Sequence, residues 1–506
     1  MVFGDILVDE NATGHPPPRR GERPADTIRV LQVNLDAPLP AEVGVGSGTA
    51  LFVHGTCFDT EHAIRGLHFL VGGEEQPVAV HGIPRLGLDH YRAPHPRRDS
   101  DATAGVGTDP DAPEYPPPRS SRSEFWGLMR IGPVPPGRSL ELGLRARFAG
   151  GPAETVPLGS IRSALPTEPL LLSFPGPSAE PRVAICMATH EPSLELLDRQ
   201  VDSIRTQTHS NWVCVISDDC SSQDRFDAIC RLVDDDPRFA VTRSTRRRGF
   251  YGNFERAIEL APRDCEYVAL ADQDDVWYAD KLATLLGAID GAQLVYSDAR
   301  ITSPRGEAIA DSYWERRRNN HTDLISLLVA NSVTGAASLF RRQILDYALP
   351  FPPGQFEHYH DHWLGLVSLA LGDIEYVDQP LYEYVQHGDA ALGHAAANRI
   401  FPLRARLARL RDGPRERIRV SRTRYFAQVM RLEAFATVLQ LRCGPRMSDE
   451  RRCELERFLA VERSWRALAW LGHRAVVELL RVPPETAGAE WPLLQALLWR
   501  RIASAR

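Results

Sequence analysis

The sequence predicts a protein in three parts: an all-β sandwich, an α/β domain built on a mostly parallel sheet, and a helical region. Three observations predict this order. Short strands bounded by Gly or Pro run to about residue 161, apolar strands then alternate with amphipathic helices from residue 182, and only helical patterns follow residue 396. Apolar strands separated by helices form βαβ units, whose parallel sheet is covered on both faces.

The first part begins with a polar, Pro-rich tail over residues 1–27, for which disorder is predicted. A β-sandwich is predicted over residues 28–165. Its clearest strand, SLELGLRARF at 139–148, alternates apolar and charged side chains, as a strand with one buried face does. Residues 93–124 are rich in Pro, Asp and Ser, and they are predicted to form a disordered loop within the sandwich.

Composition limits the classes of partner and compartment. The 506-residue chain carries a formal net charge of −7, which argues against nucleic acid as a partner. Its eight cysteines form no CxxC pair, the N-terminus has no signal pattern, and no run of eighteen apolar residues occurs. These features predict a reduced, cytoplasmic chain. Neither a GxGxxG fingerprint nor a P-loop motif is present, which excludes a dinucleotide fold and a P-loop enzyme.

Carboxylates follow several predicted strands of the α/β domain, which is predicted over residues 182–395. Asp218 and Asp219 end one strand, and an acidic run that contains Asp272 and Asp274 ends another. Because ligands bind outside the carboxyl ends of parallel strands, these side chains predict one site. Several carboxylates coexist only where a cation or protons neutralise them, and Mg²⁺ or Mn²⁺ takes such oxygen ligands. Asp272 and Asp274 are therefore candidates to meet a metal or a ribose hydroxyl.

The motifs VAICMATHE, VCVISDDCSSQD, RRGFYGNFERAI and YVALADQDDVWYADKL occur in this order within residues 182–395. Together they resemble an inverting family 2 glycosyltransferase. The motif ADQDDVW, followed by HDHW and QHGDAALG, is most similar to the rhamnosyltransferase-like branch. The resemblance implies an α/β GT-A domain with a Rossmann-like mixed sheet, which moves a sugar from a nucleotide-diphosphate donor. Rhamnose is the first guess for that sugar. The implied acceptor is a saccharide or a lipid-linked acceptor in surface polysaccharide biosynthesis.

The resemblance also implies a role for each matching residue. Asp361, before the predicted helix HWLGLVSLAL, matches the catalytic base of the family, and the start of a helix favours a charged carboxylate. The resemblance implies that Asp274 and Asp272 bind a metal, with His387 as a third ligand. The implied cofactor is Mg²⁺ or Mn²⁺. Ala390 departs from the branch, which often has Asn there. The residues implied in donor binding are Thr189, Glu191, Asp218, Asp219, Gly249, Asn253 and Asp272.

Two other functions remain open. A metal-dependent hydrolase of nucleotide diphosphates or nucleotide-diphosphate sugars would use the same carboxylates with water as acceptor. A catalytically silent saccharide-binding protein would work through its sandwich. Asp218 and Asp219 also fit a turn with a helix cap, and Trp277 fits either a core or a place near the sugar. The HYHDH run at 358–362 lacks the spacing of a metallo-hydrolase and is predicted to shape the acceptor pocket.

The helical region predicted over residues 396–506 is basic. From Phe401 onward it has 22 Arg, no Lys and 11 acidic residues. Helices that mix Trp and Arg are typical of a membrane surface, and the other interpretation is packing in which Arg stems cover apolar surface. The sequence therefore predicts a cytoplasmic protein that is either free or peripheral on the inner membrane face. The side chains concerned are Trp465, Trp470, Trp491, Trp499, Arg466, Arg474, Arg481, Arg500 and Arg501.

Overall fold

The structure is a computed structural model of the chain. It describes residues 31–59, 62–83, 123–149, 151–170, 180–314, 317–356, 358–387 and 414–504. The predicted disordered tail and nearly all of the predicted loop 93–124 lie outside the described residues, and so does Ala390.

The described residues of the first part form two β-sheets packed face to face. Their strands are β1 (Gln32–Leu35), β2 (Glu42–Val43), β3 (Thr49–Phe58), β4 (Ile64–Val71), β5 (Glu74–Pro77), β6 (Val80–Ile83), β7 (Glu124–Ile131), β8 (Ser139–Phe148) and β9 (Glu154–Ser163). One sheet has the order β1-β3-β7-β6 and the other β2-β9-β8-β4-β5. Leu51 and Phe125 of the first sheet meet Phe69 and Leu144 of the second in one core. The predicted β-sandwich is confirmed.

The second part is an α/β region. Its strands are β10 (Val183–Thr189), β11 (Trp212–Asp218), β12 (Phe239–Arg243), β13 (Tyr267–Ala271), β14 (Val276–Trp277), β15 (Leu294–Thr302), β16 (Ala308–Ala310), β17 (Ser338–Arg341) and β18 (Ile374–Val385). Its helices are α1 (Leu194–Arg205), α2 (Gln223–Val233), α3 (Gly249–Leu260), α4 (Lys281–Ala288), α5 (Leu324–Val329), α6 (Leu345–Ala348) and α7 (His360–Leu371).

The strands of this region form a mixed sheet in the order β12-β11-β10-β13-β17-β15-β18-β14, with β16 paired to β15. The four strands β12, β11, β10 and β13 are parallel, as alternating strands and helices predict. Strands β10, β11 and β13 are almost wholly buried, as strands in the middle of a parallel sheet are, whereas the edge strand β12 is mostly half-buried. Strand β17 runs antiparallel to β13 and β15, which makes the sheet mixed. The predicted GT-A fold class is confirmed.

The third part is helical: α8 (Pro414–Arg424), α9 (Met430–Cys443), α10 (Asp449–Leu459), α11 (Trp465–Leu480) and α12 (Glu490–Ser504), with a π-helical turn over Tyr425–Val429. Helix α9 is buried along most of its length, between β3 of the sandwich and α7 of the α/β region. Among the described residues, no helix is long and apolar enough to cross a membrane.

The three parts share one apolar core, which contains Trp126 of the sandwich, Val268 of the mixed sheet and Phe435 of α9. Arg442, at the end of α9, is buried, and its guanidinium donates to backbone carbonyls of both neighbouring parts. The acceptors are the carbonyls of Gly48 at 2.6 Å, Pro350 at 2.6 Å, Ala348 at 3.0 Å, Tyr347 at 3.1 Å and Val45 at 3.3 Å. A buried guanidinium that satisfies five carbonyls fixes the sandwich against the α/β region.

Candidate active site

The predicted site residues lie where the parallel strands end. Strands β10 and β11 pair so that Thr189 lies opposite Asp218, and β10 and β13 pair so that Met187 lies opposite Ala271. The loop that begins at Asp272 therefore starts beside the end of β10. Polar side chains far apart in the chain meet at one edge of the sheet because the strands are adjacent and parallel.

Thr189 and Asp218 form the buried floor of this edge. Asp218 is fully buried, and its carboxylate accepts from the Thr189 hydroxyl at 3.2 Å and from the Ser221 backbone amide at 2.9 Å. These are the contacts of a turn, which agrees with the turn-and-cap interpretation of this pair. Both side chains are thus satisfied by the protein itself, and a donor contact by either one stays a prediction.

Asp219 fixes the start of α3. Its two carboxylate oxygens accept from the backbone amides of Arg248 at 2.6 Å and Gly249 at 2.8 Å. Gly249 has φ +72°, a left-handed conformation that glycine adopts without strain. Asn253, one turn later, donates to the carbonyls of Ser217 at 2.8 Å and Thr189 at 3.2 Å. Helix α3 is thereby tied to the ends of β10 and β11.

The loop after β10 reaches across to the acidic loop. Glu191 is exposed, has φ +41°, and its carboxylate accepts from the backbone amide of Ser222. The backbone amide of His190 donates to the Gln273 side chain at 2.8 Å, and the His190 ring lies 2.9 Å from the Asp219 carbonyl. Sequence analysis missed His190 and Gln273; their only signal was their position at the strand ends.

The acidic loop 272–275 contacts the end of β18. Atom Nε2 of His387 lies 2.7 Å from Oδ2 of Asp274. Burial, with the nearby carboxylates of Asp274 and Asp361, raises the pKa of Asp272 to about 7. Burial also raises the pKa of Asp275 well above its usual range. Carboxylates with raised pKa values in one place form a site that a cation would stabilise.

The donor set is compatible with a divalent cation that has few protein ligands. Asp274 and His387 supply one carboxylate and one imidazole, and Asp272 lies two residues from Asp274. Among the described residues, no three His, Cys, Asp or Glu side chains converge on one cation position. A cation such as Mg²⁺ often takes one or two carboxylates and completes its shell with water and substrate phosphates, and this arrangement fits that pattern.

Asp361 lies in the first turn of α7. Its Oδ1 accepts from the His362 amide at 2.6 Å, and its Oδ2 accepts from the Gly335 amide at 3.3 Å. Burial raises the pKa of Asp361 to about 6, although these two hydrogen bonds oppose the shift. A side chain at Gly335 would put its Cβ 2.6 Å from Nε2 of His360. The close approach of this turn to the start of α7 therefore requires glycine at 335.

The histidines of the HYHDH run pack inside the core below Asp361 and do not line an open pocket. His358 stacks on Phe435 with ring centroids 4.4 Å apart, and His360 stacks on Phe254 at 3.8 Å. The ring of His362 lies 2.9 Å from a backbone carbonyl. Burial lowers the pKa of all three rings to about 3, so they are neutral at physiological pH.

The acidic loop is followed by a buried lysine, which is the only lysine in the sequence. Lys281 is 0% exposed and Trp277 is 3% exposed. The ammonium nitrogen lies 3.7 Å from the centroid of the Trp277 ring. The core interpretation of Trp277 therefore agrees with the structure. Burial lowers the pKa of Lys281 well below its usual range, although the neighbouring carboxyls of Asp275 and Asp272 oppose the shift.

A second depression lies away from these carboxylates. It has a volume of about 360 Å³ and lies beside the start of β13. Its arginines are engaged, since Arg341 donates to the Ala292 carbonyl at 2.8 Å and Arg342 to the Pro262 carbonyl at 3.0 Å.

Comparison with known proteins finds a family match over the part of the chain that carries most of this site. Residues 184–348 match the family model described as Glycosyl transferase family 2, and the match lies inside the predicted range 182–395. The matched stretch is therefore similar to a family 2 glycosyltransferase domain, and it contains all the predicted donor-binding residues. Asp361 and His387 lie beyond the matched residues.

Three curated relatives match parts of the chain. An uncharacterized protein of Sinorhizobium fredii is 29% identical over 122 residues, 23% of this chain and 13% of the relative. An uncharacterized glycosyltransferase of a Nostoc species is 26% identical over 201 residues, 38% of this chain and 61% of the relative. TuaG of Bacillus subtilis, named as a teichuronic acid biosynthesis glycosyltransferase, is 32% identical over 88 residues, 17% of this chain and 34% of the relative. The chain spans less than two thirds of each relative.

Two solved structures are similar at low identity. TarS of S. aureus, residues 1–349 in complex with UDP, is 15% identical with a TM-score of 0.37, and the match covers 55% of this chain and 87% of that one. A mannosyltransferase of Pyrobaculum calidifontis in complex with GDP-Man and Mn²⁺ is 17% identical with a TM-score of 0.32. The match covers 66% of this chain and 90% of that one.

Proposed function

We propose that the protein is an inverting glycosyltransferase, which moves a sugar from a nucleotide-diphosphate donor to a saccharide or lipid-linked acceptor. One observation carries the proposal. The Asp361 carboxylate lies near enough to the acidic loop, with its Asp274–His387 pair, to add to the effect of burial and Asp274 in raising the pKa of Asp272. The Asp274–His387 pair suits a departing diphosphate, and Asp361 suits proton removal from an acceptor hydroxyl.

Asp361 is the proposed base. Its pKa of about 6 keeps the carboxylate charged at neutral pH while leaving it more basic than an exposed aspartate. In the proposed step the acceptor oxygen bonds to the anomeric carbon as its proton passes to Asp361. The bond from that carbon to the diphosphate oxygen breaks, and the diphosphate leaves with the electron pair. The attack comes from the face opposite the leaving group, so the configuration inverts.

The leaving diphosphate is proposed to lie beside the acidic loop. Asp274, His387 and Asp272 would hold Mg²⁺ or Mn²⁺, which when bound neutralises charge on the diphosphate. The site has one oxygen-rich loop and one imidazole, a donor set that suits either ion. The remaining donor residues, from Thr189 to Asn253, are proposed to shape the nucleotide pocket through the backbone that they fix.

Rhamnose is proposed as the first donor sugar to test, because the motifs ADQDDVW and HDHW resemble the rhamnosyltransferase-like branch. A role in surface polysaccharide biosynthesis is supported by the partial similarity to TuaG, whose name places that protein in teichuronic acid biosynthesis.

A thermal-shift screen with dTDP-, UDP- and GDP-sugars, each with and without Mn²⁺ or Mg²⁺, tests the donor site. A ligand that binds only the native state raises its melting temperature. We expect one nucleotide family to stabilise the protein only when metal is present, and we expect Asp274→Ala to lose this effect. The exposed Asp290 provides the control variant Asp290→Ala, which should keep it. Absence of stabilisation by every donor would contradict the proposal.

The two rival functions predict different results in turnover assays. A hydrolase would release nucleotide diphosphate as fast without an acceptor as with one. A silent binding protein would turn over no donor, and Asp361→Asn would leave its saccharide binding unchanged. Acceptor-dependent turnover that Asp361→Asn abolishes is expected only for the transferase.

We propose further that α11 rests on an anionic membrane surface at the cytoplasmic face. Its outward side exposes Trp465 (66%), Val476 (50%) and Leu480 (79%), and Val482 beyond its end is 91% exposed. Among the described residues 465–482, the exposed positions include Arg and His but no acidic side chain. An apolar face with basic and no acidic neighbours suits an anionic lipid surface.

Four other Trp and Arg side chains of this region support the packing interpretation. Trp470 and Trp499 are half-buried. Arg474 pairs with Asp323 at 2.8 Å, and Arg501 donates to the Val461 carbonyl at 2.9 Å. The proposed contact therefore involves only the outer side of α11, not the whole helical region.

Sedimentation with vesicles tests the membrane contact. The wild type should sediment with phosphatidylglycerol vesicles and less with phosphatidylcholine vesicles, and Leu480→Asp should weaken both. The control is Ile309→Asp, because Ile309 is 55% exposed on β16, outside the helical region. Equal loss in both variants would contradict the proposal. Concentration-dependent dimers that Leu480→Asp abolishes would instead assign the face to a second copy of the chain.

A further inference from the structure

Lys281 is an unusual residue in this chain. It is the only lysine among 506 residues, and its side chain is completely buried at the first position of α4. A buried ammonium is strongly unfavourable unless nearby groups replace the water that it loses. The groups that surround Lys281 therefore show which parts of the protein it holds together.

Three parts of the site meet at this ammonium. Nζ lies 3.7 Å from the Trp277 ring centroid and 4.5 Å from that of Tyr382, on β18, and both ring faces attract a cation. Burial lowers the pKa of Lys281 well below its usual range, and the carboxyls of Asp275 and Asp272 oppose that shift. The hydrogen bond of Nζ goes to the backbone carbonyl of Ala336, far from α4 in sequence.

The bond to Ala336 leads to the proposed base. Ala336 lies in the 3₁₀ turn Gly335–Ala337, and the Gly335 amide donates to Asp361 Oδ2 at 3.3 Å. The turn is packed closely, since a Cβ at Gly335 would lie 2.6 Å from Nε2 of His360 and 3.5 Å from Cβ of Asp361. A shift of this turn would therefore change the position of the Asp361 carboxylate.

The same ammonium lies beside a carboxylate that lacks full hydrogen bonding. Asp275 is 1% exposed, and among the described residues its Oδ2 has no hydrogen-bond partner. Its Oδ1 accepts from the Val385 amide at 3.3 Å, two residues before His387. Lys281 thus lies against the loop that carries Asp274, while its hydrogen bond to Ala336 holds the turn beside Asp361.

We propose that Lys281 is a positioning residue for sugar transfer, whose ammonium fixes the Gly335–Ala337 turn against Asp361 and links it to the acidic loop. This inference rests on the proposed function, because it treats Asp361 as the base. Lys281 contacts neither substrate, since its nitrogen is enclosed by protein. It acts through the turn and through the loop.

Kinetics of Lys281→Met test the proposal. We expect kcat to fall by about 100-fold, because a displacement of about 1 Å in catalytic geometry has an effect of that size. The donor dissociation constant should change by less than about 3-fold, because the buried nitrogen makes no donor contact. Lys281→Arg, which keeps the charge, should recover part of kcat. A wild-type kcat in a folded Lys281→Met would overturn the proposal.

A double-mutant cycle shows whether Lys281 acts through the turn. Gly335→Ala forces the same turn away from His360, so the loss in the double variant Lys281→Met/Gly335→Ala should match the larger single loss. Gly287→Ala on α4 is the control, because a Cβ there meets nothing within 4 Å. Losses that multiply would overturn the proposed coupling.

A second measurement needs no substitution at Lys281 and no turnover. Lysine labelled with ¹³C at Cε gives one NMR signal in this chain, and Gly335→Ala should shift it while Gly287→Ala should not. An unmoved signal would overturn the contact even where Lys281→Met fails to fold. If the wild type transfers no sugar but the signal moves, the proposed function fails and the Lys281–turn contact stands.

Discussion

Nε2 of His387 lies 2.7 Å from Oδ2 of Asp274, although 113 residues separate them in the chain. The antiparallel pairing of β14 with β18 explains this contact. Val276 lies opposite Glu383 and Trp277 opposite Tyr382, so the residues before β14 approach those after β18. The short two-residue strand β14 therefore closes the acidic loop over the end of β18.

The first prediction concerns this pair. His387→Ala and Asp274→Ala should each weaken metal-dependent donor binding, because each removes one of two joined protein ligands. Isothermal titration with the stabilising nucleotide and Mn²⁺ measures the effect, and a loss of about 10-fold or more is expected for each. A substitution at the exposed Asp311 should have no such effect. Metal-dependent binding that is unchanged in His387→Ala would remove this residue from the metal site.

The second prediction concerns pH and stability. The pKa of Asp361 is raised from 3.8 to about 6 in the folded protein, so its carboxyl contributes stability below about pH 4 that is lost as pH rises through 6. At neutral pH this costs the wild type at most about 3 kcal/mol. The melting temperature of Asp361→Asn should therefore rise relative to that of the wild type as the pH increases. Parallel melting curves across this range would contradict the raised pKa.

The third prediction concerns Gly249. Alanine in the left-handed conformation at φ +72° costs about 1–2 kcal/mol relative to glycine. Gly249→Ala should lower the melting temperature and weaken nucleotide binding, because Asp219 holds the Gly249 amide at the edge of the site. Gly287→Ala provides the matched control in a helix. Nucleotide affinity equal to wild type would mean that the start of α3 does not contact the donor.

The fourth prediction concerns the junction of the three parts. Arg442→Met leaves buried carbonyls of the sandwich and the α/β region without a donor, and we expect a loss of about 2–4 kcal/mol in unfolding free energy. Urea denaturation measures it. Arg446→Met, at an exposed arginine four residues later, should lie within about 0.5 kcal/mol of wild type. Equal stability of the two variants would contradict the clamp role of Arg442.

Much of the fold was predictable because its patterns are local. Alternation over 139–148 predicted β8, and the continuous apolar segment at 183–189 predicted the buried β10. The antiparallel insertion of β17 was not predictable, because a strand's partner depends on sheet closure and not on its own sequence. The domain boundaries 28–165, 182–395 and 396–506 stay predictions.

The site was predictable where it lies at strand ends, and less so where distant segments meet. The acidic loop and Asp361 stand out by charge and by position before a helix. The Gly335 amide beside Asp361 and the link from Lys281 to Ala336 carry no local signal, since each joins residues that are remote in sequence. The close packing around Gly335 likewise depends on the folded core and carries no local sequence signal.

The central claim is that Asp361 is the base in sugar transfer. The most direct test measures donor binding and transfer in wild type and Asp361→Asn, using the donor from the thermal-shift screen and a panel of saccharide and polyprenyl-linked acceptors. We predict unchanged donor affinity, a product of inverted anomeric configuration from wild type, and a transfer rate about 100- to 10,000-fold lower in the variant. Transfer by Asp361→Asn at a rate near that of wild type would contradict the account.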